Sequence, residues 1–75
     1  MRSINELVKS GKKYLVEGKF TDALGCFEQS LLLDPKNPNL LNLKGAALRS
    51  LGRYDEALDC YNKSLELDPR DKASS

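Results

Sequence analysis

Apolar side chains recur along this chain three and four residues apart, the spacing that collects them on one face of an α-helix. The first stripe is Leu7, Tyr14 and Leu15, and upstream of it Ser3 and Glu6 have the spacing of a capping box. Gly18 is placed to close that helix with a left-handed cap. A second stripe, Ala23, Leu24, Phe27, Ser30 and Leu31, begins at about Thr21. It must end before Pro35, because a proline ring disfavours helical geometry in the residue ahead of it. The same signals then return: Asn37 as cap, Pro38 at the first helical position, Gly52 at the close and Pro69 as terminator. The pattern predicts four helices of about fourteen residues joined by short loops, an all-α fold without room for strands.

The return is a duplication. An offset of thirty-four residues pairs 4–37 with 38–71, and twelve of the pairs are identical, among them Gly11/Gly45, Gly18/Gly52, Ala23/Ala57 and Cys26/Cys60. Unrelated segments of that length would share about two. The chain therefore reads as a single domain, 1–75, built from repeat one (4–37), repeat two (38–71) and a short tail (72–75). Gly11 and Gly45 fall inside helices, where glycine costs ~1 kcal/mol relative to alanine. An offsetting gain is available if small residues (Gly11, Ala23, Ser30; Gly45, Ala57, Ser64) receive large ones (Leu7, Tyr14, Phe27; Leu41, Leu48, Tyr61). Two antiparallel helices then approach closely. No G-x-G and no glycine-lysine-serine or glycine-lysine-threonine run accompanies these glycines, so packing is expected of them and not phosphate binding.

Composition narrows what such a bundle does. Seventy-five residues bury only roughly 60% of the surface that the unfolded chain exposes, so the core is small. Twelve basic against eleven acidic side chains give a net charge of +1, without the basic excess of a nucleic-acid binder. Histidine is absent, which removes the commonest general base and the commonest metal ligand. The carboxylates are scattered and neither cysteine has a base beside it, so no enzyme, metal site or cofactor is expected. Cys26 and Cys60 occupy one repeat position twice and read as small apolar residues, not as a disulfide or a metal pair. The first twenty residues carry five Lys or Arg and no apolar run, and nothing approaches the ~18 apolar residues of a membrane span. A cytoplasmic protein without a membrane partner is the expectation.

The chain resembles the tetratricopeptide repeat family, whose period is also thirty-four. In repeat two the resemblance rests on Leu41, Gly45, Leu48, Gly52, Tyr54, Ala57, Tyr61, Leu65 and Pro69. Their counterparts in repeat one are Leu7, Gly11, Tyr14, Gly18, Phe20, Ala23, Phe27, Leu31 and Pro35. The stretches Asp55–Leu58 and Leu65–Pro69 (D-E-A-L and L-E-L-D-P) are close to the family's commonest wording. Leu7 and Leu41 depart from it where the family carries a bulky aromatic, as do Ser10 and Lys44 where it carries leucine. The resemblance covers residues 4–71. It implies two antiparallel helical hairpins stacked as a short right-handed α-solenoid (an α-α superhelix), with the first helix of each pair lining a concave groove.

On that arrangement Asn5, Val8, Lys9, Lys12 and Leu15 face the groove from repeat one, and Asn39, Asn42, Leu43, Ala46 and Arg49 from repeat two. The first helices carry +1 (Lys9, Lys12 and Lys13 against Glu6 and Glu17) and +2 (Lys44 and Arg49), whereas the second helices are acidic. A basic concave face steers acidic partners, so the expected function is binding of a protein or an acidic peptide. The subgroup that clamps chaperone C-termini has a lysine, an asparagine and a further asparagine at positions held here by Val8, Lys12 and Leu43, so that signature is missing. The alternative is assembly. Repeats bury their faces against neighbours, and two are few. The last helix then offers Leu58, Tyr61 and Leu65 for self-association as a homodimer or larger oligomer.

Overall fold

A computed structural model describes residues 3–67, and these form four helices: α1 (Ile4–Glu17), α2 (Phe20–Leu33), α3 (Pro38–Ser50) and α4 (Tyr54–Leu67). There is no strand among the described residues. The expectations for Pro69 and for the tail 72–75 lie outside them.

The caps set the boundaries. Ser3 Oγ accepts the Glu6 N–H at 3.3 Å at the head of α1. Asn37 Oδ1 accepts the N–H groups of Asn39 and Leu40 at 2.9 and 3.4 Å, with Pro38 filling the first helical position. Both hairpin turns close alike. Gly18 and Gly52 adopt φ of 81° and 83°, and the following amides of Lys19 and Arg53 reach back to the Tyr14 and Leu48 carbonyls at 2.8 and 2.9 Å. These bonds satisfy carbonyls that the helix end would leave unpaired, and glycine occupies the left-handed position without a Cβ penalty. The α2 helix stops at Leu33, where Asp34 turns to φ −144° ahead of Pro35. It begins at Phe20, one residue earlier than Thr21, because the Lys19 carbonyl already accepts the Ala23 N–H.

Packing follows chain order. The α1 helix lies on α2, α2 on α3 and α3 on α4, the arrangement of a helical-repeat solenoid. Its core joins Ala23, Leu24 and Phe27 of α2 to Ala47 and Leu48 of α3 and to Ala57 and Cys60 of α4. The fully buried Phe27 ring lies against Gly11, where a Cβ would stand 2.5 and 2.7 Å from its Cε1 and Cζ. The duplicate contact is Gly45 under Tyr61, at 2.9 and 3.0 Å, with the Ala57 carbonyl 3.3 Å away. The interior glycines are thus the places where an aromatic ring of the second helix meets bare backbone of the first. Two buried serines complete the interface without orphaned hydroxyls. Ser30 donates to the Cys26 carbonyl at 2.9 Å within its own helix, whereas Ser64 ties α4 to the Pro38 carbonyl of α3 at 3.2 Å.

Candidate functional site

A cleft of about 680 Å³ opens between α1 and the first half of α3. Asn5, Val8, Lys9 and Lys12 line it from α1, and Asn39, Asn42 and Leu43 from α3. The duplication explains the pairing. Asn5 and Asn39, Val8 and Asn42, and Lys9 and Leu43 are equivalent positions, so both walls present the same helical face. On α1 the four residues fall at i, i+3, i+4 and i+7, one stripe of a 3.6-residue helix. Seven of the eight groove residues expected from the sequence therefore come together.

The eighth, Arg49, does not line the cleft. It is exposed in the last turn of α3, seven residues beyond Asn42 and so roughly 10 Å further along the helix axis. Nor do Leu15 and Ala46 line it; Leu15 packs half-buried against the core. Lys44 is turned away as well. Its Nζ stands 3.8 Å from Glu28 Oε2 on α2, which removes it from the basic groove that its charge suggested. The positive rim thus consists of Lys9 and Lys12, opposed by Glu6 on the same wall.

Ile4, Glu6, Asn37 and Leu40 also line the cleft and were not among the expected residues. Ile4 precedes Val8 by one helical turn, a spacing that would have found it. Leu40 is fully buried and forms floor. Asn37 is committed to structure: its Oδ1 caps α3, and its Nδ2 donates to Asp34 Oδ2 at 3.1 Å. The cleft therefore combines an apolar floor, three exposed asparagine amides and two exposed ammonium groups. Each amide offers two N–H donors and a carbonyl acceptor, the complement of an extended peptide backbone.

A second crevice, about 290 Å³, lies over α2, α3 and α4 and is ringed by charges of both signs. Arg53 Nη2 donates to Glu56 Oε1 at 2.8 Å, and Arg53 Nε to Glu56 Oε2. This paired hydrogen bond raises the guanidinium pKa and holds the Glu56 carboxyl below its ordinary value. Both are on the surface, where such pairs add little stability. Cys60 also lines this crevice, and burial pushes its thiol pKa up, the reverse of an activated nucleophile. Cys26 and Cys60 are both free thiols. Among the described residues no group of three or more Cys, Asp or Glu is disposed to hold a metal ion, and no helix is long and apolar enough to cross a membrane.

On the last helix, Leu58 is exposed and Leu65 is half-buried. Tyr61 is engaged within its own hairpin, with its ring on Gly45, so the expected stripe of Leu58, Tyr61 and Leu65 is only partly available to a partner. Residues 38–71, which begin with α3 and contain α4, match the family model described as the tetratricopeptide repeat.

Proposed function

We propose, since residues 38–71 match the tetratricopeptide repeat, whose repeats mediate protein–protein interaction, and the four helices fit a repeat of that type, that the chain binds a short extended segment of a partner protein in the cleft between α1 and α3. One observation carries this reading: a single cleft gathers residues from equivalent faces of both first helices, with an apolar floor and polar walls. Asn5, Asn39 and Asn42 hold the peptide backbone, while Val8, Leu40 and Leu43 receive an apolar side chain. Lys9 and Lys12 select an acidic residue beside it by charge-assisted hydrogen bonding. The role is recognition, with no chemical step on the partner.

Fluorescence anisotropy with labelled acidic peptides tests this. Replacing Lys9 and Lys12 together with Glu should weaken binding on the order of tenfold, since each exposed pair is worth about 0.2–1 kcal/mol and reversal adds repulsion. Arg49→Glu, outside the cleft, should leave affinity nearly unchanged and serves as the control. Equal binding by the Lys9/Lys12 variant would place the site elsewhere.

A further inference from the structure

The cleft changes character along its length. On α1, Ile4, Val8 and Lys12 line it at i, i+4 and i+8, one residue from each of three successive turns. At 1.5 Å per residue, neighbours in this stripe stand about 6 Å apart along the axis. From α3 the apolar contribution is Leu40, fully buried, and Leu43, half-buried like Ile4 and Val8. By the thirty-four-residue equivalence Leu40 stands at the level of Glu6, between Ile4 and Val8, and Leu43 at the level of Lys9, beside Val8. At the third turn α3 adds nothing, because Ala46, the equivalent of Lys12, does not line the cleft. Two turns of apolar wall are followed by an ammonium group.

An extended segment advances about 3.3 Å per residue and points alternate side chains the same way, so its inward residues recur about every 6.6 Å. That step matches the one-turn step of Ile4, Val8 and Lys12. Resting on the reading of the cleft given above, we propose that the partner segment has the spacing apolar-x-apolar-x-acidic, with each x turned to water. The first apolar residue meets Ile4 and Leu40, the second meets Val8, Leu40 and Leu43, and the carboxylate meets Lys12. Over the whole pattern the ligand spans about 13 Å against about 12 Å of wall, a mismatch that one lysine side chain absorbs. The match is one of side-chain spacing, so it holds for either direction of the peptide backbone.

The two lysines then have different tasks. Among the described residues neither Lys9 nor Lys12 is held in an ion pair, and both are exposed. Lys9 is next to Val8 in sequence and attracts an acidic peptide whatever its spacing. Lys12, a full turn beyond Val8, sets the register. An acidic residue directly after the second apolar one would point away from the cleft, and one placed three positions after it would point away too, about 10 Å along.

The probes are three peptides of one composition, acetylated and amidated so that no terminal charge enters: L-S-L-S-E, L-S-L-E-S and L-L-S-S-E. Each is titrated into the intact isotope-labelled chain, and affinity is read from backbone amide shifts. L-S-L-S-E should bind about threefold tighter than L-S-L-E-S, the size of one exposed ion pair. It should bind about tenfold tighter than L-L-S-S-E, which turns one leucine to water. Lys12→Gln, at an exposed position, should keep the fold by circular dichroism and level L-S-L-S-E with L-S-L-E-S. Equal affinities for the three peptides would overturn the spacing, as would a preference for L-S-L-S-E over L-S-L-E-S that survives Lys12→Gln. With shifts still confined to residues 4–12 and 37–43, either result leaves the cleft itself as the binding site. Shifts elsewhere, or none at the solubility limit of all three peptides, would overturn the cleft and the spacing together.

Discussion

Replacing Gly11 with Ala and Gly25 with Ala should move stability in opposite directions, although both glycines lie inside helices. The helical preference for alanine favours each substitution by about 0.5–1 kcal/mol. At Gly25 nothing stands within 4 Å of the new methyl group, so that gain is kept. At Gly11 the methyl would stand 2.5 Å from Phe27 Cε1, well inside van der Waals contact, and Phe27 is fully buried among core neighbours. Relief requires α1 and α2 to separate or the ring to leave its place, an overpacking cost of about 1–3 kcal/mol. Net destabilisation of about 1–2 kcal/mol is expected for Gly11→Ala. A domain of this size translates each kcal/mol into about 4–8 °C of Tm. Urea titrations followed by far-UV circular dichroism give both values on one scale. Two variants shifted the same way by similar amounts would refute the claim that close approach at Gly11 is what the glycine is for.

Two further outcomes are expected. Leu24→Ala should destabilise by about 2–5 kcal/mol, as truncations in cores do, whereas Leu58→Ala at the exposed equivalent should cost less than about 1 kcal/mol; chemical denaturation of both variants checks this. Iodoacetamide should label the half-buried Cys26 faster than the buried Cys60, whose raised thiol pKa further limits thiolate. Because the folded-state pKa of Cys60 is raised by burial, its contribution to stability is complete below the unfolded thiol pKa and is lost as pH rises through the folded value. Unfolding titrations should therefore show a loss of stability in alkali that Cys60→Ala diminishes.

Fold and groove differ in how far they could be read from residues alone. The helix boundaries were legible because local chemistry sets them: Asn37 caps, Gly18 and Gly52 permit the left-handed turn, and Pro35 stops α2. Most of the cleft was legible because helical periodicity puts Asn5, Val8, Lys9 and Lys12 on one face and the repeat puts a matching face on α3. Periodicity gives direction around a helix but not how far a cleft extends along it, which is why Arg49 lies beyond the residues that line this cleft. Charge counts miss partners from another element, so Lys44 looked free until Glu28 of the preceding repeat was beside it. The exposure of Leu58 and the engagement of Tyr61 by Gly45 depend on which helices are neighbours, which a face-by-face reading does not contain.

The most direct measurement is an NMR titration of the labelled chain with an acidic peptide, following every backbone amide. Shifts concentrated in residues 4–12 of α1 and 37–43 of α3, saturating together and absent from the outer face of α4, are the expected result. Shifts concentrated on α2 and α4, with the cleft residues unmoved at saturation, would contradict recognition in the groove between the first helices.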